Sequence, residues 1–311
     1  MKTPVDPVLN QFRGRLSTIL PFATSITLLL WACSFSPPDP RITPGMPLGP
    51  AIATPIQGGR ASTSSPPSIV ALSGIMIDAT SGQTLYEKHA DERLPVASTQ
   101  KLLTAMEAIA AGDLGREVAV TLRDQLQPPT KLNLVAGERY RRADLLAAMI
   151  VSSANDAASA LASSSRGSYG DFISRMNRRA HKLGARNSLF LNAHGLDALG
   201  QHSTARDSAI IACHAYRDPL IRHWAAQDRM PFTHADGYTE MLENTNLLLW
   251  HRPAYFNGLK SGFTLLSGKC LVASAKYDHR EIIIVLLGST QDAVFNDAKR
   301  LFRWQQARDA R

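Results

Sequence analysis

Three short segments near the end of the chain, residues 259–264, 269–276 and 281–288, are rich in apolar and β-branched side chains, and only a few residues separate them. This spacing constrains the fold more than any other feature, because parallel neighbours need a crossover of a dozen or more residues. These three strands must therefore pair antiparallel. A second β-rich region opens the ordered part of the chain: residues 69–78, a turn at 80–83 and a returning strand at 84–87. The intervening sequence carries apolar residues at helical spacing over 101–111, 142–151, 156–163, 171–183 and 205–216. A last helix is expected from about 292 to 306. Strands from both ends and helices between them predict an α+β fold, one antiparallel sheet with an inserted helical region. No internal repeat is present.

The 311 residues, 44% of them hydrophobic, suffice for one substantial domain. We place it at 67–311. Residues 1–33 read as an export signal. Lys2, Arg13 and Arg15 precede an apolar run over 16–32 that Pro21 and several Ser/Thr interrupt, and small residues follow. Leu30-Trp31-Ala32-Cys33 is similar to a lipoprotein signal, apart from its bulky Trp, and makes Cys33 a candidate lipidation site and membrane anchor. The Pro-, Gly- and Ser-rich residues 34–66 read as a linker. The expected location is therefore outside the cytoplasm, in the periplasm or cell envelope. Net charge is +8, which suits an anionic partner such as a lipid surface or a wall polymer. No Lys/Arg run interleaves with aromatics, so nucleic acid is not expected. The three cysteines, Cys33, Cys213 and Cys270, are too few for a disulfide framework. No metal-ligand spacing occurs, and neither a metal nor another cofactor is expected.

Three short motifs, here called triplets although the first spans four residues, carry chemistry. In Ser98-Thr99-Gln100-Lys101, the hydroxyl and the amine lie three apart at the start of a helix, on one face. A serine needs a base to become a nucleophile. A lysine serves if burial or a nearby cation keeps it neutral. Ser153-Ala154-Asn155 falls between two helices, where a hydroxyl and an amide can point into a cleft or simply cap the next helix. Lys260-Ser261-Gly262 lies in a strand; its glycine admits the close approach of another backbone or of a ligand, here read as a substrate peptide. Lys260 could hold a carboxylate and help to keep Lys101 neutral, or could be an exposed edge lysine. Each triplet alone is weak. Their order, on these element types, is specific.

In these triplets, and in 95–104, 152–158, 192–197, 203–207, 244–248 and 258–264, the chain resembles the low-molecular-mass penicillin-binding proteins, the D-alanyl-D-alanine carboxypeptidase/endopeptidase family of serine DD-peptidases. The resemblance implies the fold of the penicillin-recognising serine enzymes (β-lactamase/transpeptidase-like), with helices on both faces of the sheet and a helical subdomain. It implies that Ser98 attacks a D-alanyl carbonyl in peptidoglycan stem peptides, with Lys101 as base. Ser153 would relay the proton to the leaving amine, and Asn155 would bind the substrate amide. Lys260 and Ser261 would take the terminal carboxylate, with Gly262 and Thr264 along the same strand. The backbone N–H groups of Ser98 and Phe263 would form the oxyanion hole. β-Lactams would be covalent inhibitors. Ser261 stands where the family usually has Thr, and Asn257 where an Asp is common. The chain ends soon after its last helix, similar to the short endopeptidase members. Cys213 and Cys270 read as buried apolar residues, and His194 as structural. One rival is a class A β-lactamase, which needs a Glu-x-x-Leu-Asn segment that is absent between Asn155 and Lys260. Another is a non-catalytic cell-wall-binding lipoprotein, against which the intact Ser98, Lys101, Ser153 and Lys260 argue.

Overall fold

The structure, a computed structural model, describes residues 65–250 and 255–310. The expected export signal, Cys33 and nearly all of the linker lie outside the described residues. The elements run in chain order as β1 (Ser73–Asp78), β2 (Thr84–Lys88), a 3₁₀ turn (Ala97–Gln100), α1 (Lys101–Ala110), β3 (Glu117–Ala119), α2 (Leu122–Gln125), β4 (Arg139–Arg141), α3 (Arg142–Val151), α4 (Asn155–Ser163) and α5 (Tyr169–Leu183). They continue as α6 (Ala205–Arg217), α7 (Pro219–Ala225), β5 (Arg229–Thr233), β6 (Thr239–Glu243), a second 3₁₀ turn (Leu247–Leu249), β7 (Phe256–Thr264), β8 (Gly268–Tyr277), β9 (Arg280–Ser289) and α8 (Ala293–Asp309).

Five strands form one antiparallel sheet in the order β2-β1-β9-β8-β7. The two ends of the described chain therefore meet at β1–β9. The central strand β9 explains why its sequence is apolar without a break. Ile282, Ile284 and Leu286 belong to one core cluster, and Ile283, Val285 and Leu287 to another. Successive side chains point to opposite faces, and both faces are covered. On one side α8 packs through Val294, Phe295, Leu301 and Phe302. On the other lie α1, α6 and the helical region, through Leu102, Leu103, Ile211 and Ala212. This is the expected α+β arrangement, with helices on both faces. Between β3 and α5 the chain forms the inserted helical region with its two-stranded ribbon of β3 and β4.

Helix ends follow local chemistry. Ser168 and Asp171 form a reciprocal capping box on α5, which ends at Gly184 in the left-handed region (φ 101°). Asp218 caps α7, with Pro219 at its first position. One strand is shorter than its sequence suggests: residues 69–72 precede β1 rather than extend it. The N–H groups of Val70 and Ala71 donate to the buried Asp297 carboxylate of α8, at 2.7 and 3.1 Å, so a side chain takes the place of a ladder there.

Candidate active site

The 3₁₀ turn that enters α1 places the first pair. A 3₁₀ helix has three residues per turn, so positions i and i+3 eclipse. Lys101 Nζ lies 2.8 Å from Ser98 Oγ as a result. Ser98 is half-buried, whereas Lys101 is fully buried. Ala97, just before Ser98, has φ 48°, a left-handed conformation that a non-glycine residue adopts only where its surroundings hold it. The turn is clamped from outside by the segment at 192–195. Gln100 Nε2, Thr104 Oγ1 and Lys101 Nζ donate to the consecutive carbonyls of Asn192, Ala193 and His194, at 2.7, 2.7 and 2.6 Å. That segment is shaped in turn by Asn192, whose Oδ1 accepts from the His194 and Gly195 N–H groups. Gly195 (φ 90°) lies so close to Ala97 and Ser98 that a Cβ there would meet their backbone.

The second triplet reaches the same amine. Asn155 Oδ1 accepts from Lys101 Nζ at 2.7 Å. Its Nδ2 donates to the Pro128 carbonyl at 3.0 Å, which leaves one amide hydrogen to offer. Asn155 opens α4 but does not cap it; the N-cap position is Ala154, which has no side-chain cap. Ser153, in the loop between α3 and α4, is buried with φ 69°. Among the described residues its hydroxyl makes no hydrogen bond. Next in sequence, Asp156 accepts from the N–H groups of Leu132 and Leu134 and so fastens the 128–134 segment beside the site.

The third triplet lies on β7, an edge strand. Lys260 is 1% exposed, which removes the reading of it as a solvated edge lysine. Its Nζ donates to Thr245 Oγ1 and to the Ser261 carbonyl, both at 3.1 Å. Ser261 Oγ lies 2.8 Å from the Thr245 carbonyl and 2.9 Å from Thr245 Oγ1. Gly262 is required by the protein itself, whereas the sequence suggested room for a substrate. A Cβ at this position would come within 2.6 Å of Ser98 N and 2.9 Å of Ala97 Cβ. Phe263 projects into solvent. The Thr264 hydroxyl is bound to Asp197 Oδ1 at 2.7 Å and to Ser267 Oγ at 2.9 Å, which fixes the β7–β8 turn and ties up a group expected to face substrate.

The electrostatics follow from burial. Burial, and next the charge of Lys260, hold Lys101 well below the usual lysine range, against the opposing pull of Asp156. Burial, and then Lys269, push Lys260 down to about 7. Three partners surround Lys101 Nζ, and two of them are pure acceptors. A neutral amine has two hydrogens and one lone pair, so it can donate to Asn155 and His194 and accept from the Ser98 hydroxyl. After taking that proton it donates to all three without moving. His194, expected to be structural, has a ring that is pushed down to about 3 by burial and by Lys101 and accepts from the Leu196 N–H. Its backbone carbonyl is nonetheless part of the site, as is Thr245, which the sequence did not single out. Cys213 and Cys270 are buried free thiols, pushed up by burial to about 12 and about 11. Among the described residues, no group of three or more His, Cys, Asp or Glu is placed to hold a metal.

Known proteins resemble this chain in sequence and in fold. The family description "D-alanyl-D-alanine carboxypeptidase" matches residues 60–291. The D-alanyl-D-alanine carboxypeptidase DacC of Escherichia coli is 35% identical over 251 residues, covering 76% of this chain and 62% of that protein. A D-alanyl-D-alanine endopeptidase of Pseudomonas aeruginosa is 30% identical over 237 residues, covering 75% of this chain and 76% of that protein. The crystal structure of the Streptomyces K15 DD-transpeptidase matches with a TM-score of 0.73 at 27% identity, over 78% of this chain and 100% of that one. The D-alanyl-D-alanine carboxypeptidase of Mycobacterium tuberculosis matches with a TM-score of 0.74 at 28% identity, over 79% and 95%. This chain spans about three fifths of the length of the carboxypeptidase relatives, 62% for DacC and 64% for DacD of Escherichia coli. With the family description covering most of its length, the chain belongs to the D-alanyl-D-alanine carboxypeptidase family.

Proposed function

We propose that the protein is an exported serine DD-peptidase that hydrolyses D-alanyl peptide bonds of peptidoglycan through an acyl-enzyme on Ser98. The observation that carries this reading is the fully buried Lys101 amine, 2.8 Å from Ser98 Oγ and held below its usual range. Lys101 takes the Ser98 proton as Oγ attacks the carbonyl of the penultimate D-alanine. The developing oxyanion is met by backbone N–H groups of Ser98 and Phe263. Helix starts leave their first N–H groups without an intrahelical partner, which suits Ser98 to that role. The proton passes to the departing amine through Ser153, whose hydroxyl is free to take either direction. Lys260 and Ser261 hold the substrate carboxylate, and the second amide hydrogen of Asn155 holds a substrate carbonyl. Water then releases the acyl group.

The relatives are named both carboxypeptidase and endopeptidase, and the proposal covers both: release of a terminal D-alanine and cleavage of crosslinks. The N-terminal sequence supports export and a membrane-attached N-terminus, with Cys33 as the candidate lipidation site. β-Lactams acylate the same serine. Intact-mass measurement after brief exposure to a penicillin should show one adduct, absent in Ser98→Ala. Lys101→Arg keeps a cation whose pKa above about 12 bars it from acting as a base, and should lose about 10²-fold or more of the acylation rate. An adduct that forms on Ser98→Ala would remove the nucleophile from Ser98, and near-normal acylation of Lys101→Arg would remove the base.

A further inference from the structure

Thr245 lies outside the three triplets, yet it touches two of them. Its Oγ1 accepts from Lys260 Nζ at 3.1 Å and lies 2.9 Å from Ser261 Oγ, and its carbonyl lies 2.8 Å from the same Ser261 oxygen. Its N–H reaches the Val151 carbonyl at 3.3 Å, at the end of α3, two residues before Ser153. One residue thus joins the end of the helix that leads to the second triplet with the strand that carries the third. Its backbone is fixed on both sides by buried amides. Asn244 Nδ2 donates to the Gln227 carbonyl, and Asn244 Oδ1 accepts from the Asn246 N–H. Asn246 Nδ2 donates to the Gly258 carbonyl at the start of β7.

Donor counting gives the consequence. The Ser261 hydroxyl shares its proton between the Thr245 carbonyl and Thr245 Oγ1, and the same Oγ1 accepts from Lys260, so one threonine holds both groups. The Lys260 ammonium has three N–H groups, one on Thr245 Oγ1, one on the Ser261 carbonyl and one left over. Without the Thr245 hydroxyl, Lys260 keeps one acceptor among the described residues, and nothing fixes where its remaining hydrogens point. We propose that Thr245 is a positioning residue that aims the Lys260 amine and the Ser261 hydroxyl together, and so sets the preference of the site for a substrate carrying a free carboxylate. This rests on the reading of Lys260 and Ser261 as the carboxylate holders.

The test compares second-order acylation constants for a penicillin and for its methyl ester, on the full chain, for the unaltered protein, Thr245→Val and Thr245→Ser. Valine keeps the shape and both backbone hydrogen bonds while removing the hydroxyl; serine keeps the hydroxyl. The acid-over-ester ratio should fall about tenfold or more in Thr245→Val, the scale expected for one charge-assisted hydrogen bond, and return in Thr245→Ser. If Thr245→Val does not fold, Thr245→Ala carries the same expectation. An unchanged ratio on a protein that acylates normally overturns the role of Thr245 and leaves the peptidase reading intact. An equal fall with both compounds also overturns it, since a general packing role would do that. An unaltered protein that neither compound acylates overturns the peptidase reading and this inference together.

Discussion

Two lysines, Lys101 and Lys260, have side chains that are almost wholly out of water, and both are held below their usual pKa range. Such groups act on stability as well as on chemistry. The folded state prefers neutral Lys260 up from about 7, whereas the unfolded chain stays protonated to about 10.4. Between those values the unfolded chain binds the extra proton, so stability rises with pH across the window. It falls as pH drops toward 7, and below that the penalty is complete. Denaturant unfolding from pH 7 to 10 should therefore show a positive slope, to which Lys260 contributes up to about 1.4 kcal/mol per unit. Lys260→Met should flatten that slope and leave a remainder from Lys101; an identical slope in the variant would show that Lys260 is not a depressed buried amine. At this scale the sequence named Ser98, Lys101, Ser153, Asn155 and Lys260 from residue types and spacing. It could not tell a buried Lys260 from an edge lysine, because burial depends on segments distant in the sequence, among them the one whose Thr245 hydroxyl meets the amine. The His194 carbonyl was harder still, since every residue carries one. Its only sequence trace is Asn192 with Gly195, a turn that aims the carbonyls at α1.

Among elements, the geometry around Ser98 depends on β7 lying against the 3₁₀ turn, with Gly262 at the contact. The atoms that a Cβ would meet at 2.6 and 3.1 Å are the backbone nitrogens of Ser98 and Thr99, which cannot swing aside as a side-chain tip could. Gly262→Ala must therefore move the strand or the turn that carries Ser98. Displacement of about 1 Å at a reacting centre can cost about 10²-fold in rate, and overpacking costs about 1–3 kcal/mol. Stopped-flow acylation and thermal unfolding of Gly262→Ala should show both losses. A variant that acylates at the normal rate would mean that the contact is slack. The long elements were legible from their apolar residues, continuous in β9 and helically spaced in α5. The short ones were not. β3 and β4 are three residues each, β5 and β6 are five each and leave Pro231 and Met241 exposed, and α7 is a seven-residue helix too short to show a period. The misread stretch at 69–72 has the right composition for a strand, and only the distant Asp297 shows why it is not one.

For the whole molecule, the sheet brings β7 and the start of α1 together from segments more than 150 residues apart in the sequence, a closure that residue patterns could announce only through the order of the triplets. The same assembly decides which carboxylates reach the site. Asp156 is occupied by the backbone N–H groups of Leu132 and Leu134, Asp197 by Thr264, and Glu107 by Arg175 and Arg179. Among the described residues, no carboxylate hydrogen-bonds Ser98, Lys101 or Ser153. In the proposed mechanism the amine of a peptide substrate departs and water enters from its side, where Lys101 and Ser153 would take its proton. A penicillin keeps its amine tethered to the adduct and obstructs that approach. A separate carboxylate base would solve the problem, and removal of one catalytic base costs about 10²–10⁴-fold in rate. The penicilloyl adduct on Ser98 should therefore last for minutes or longer. Intact-mass spectra taken at intervals after removal of excess drug should show the adduct decaying slowly, with one equivalent bound at the start. Rapid turnover of penicillin with no accumulated adduct would require a base that these contacts do not supply, and would move the activity to that of a β-lactamase.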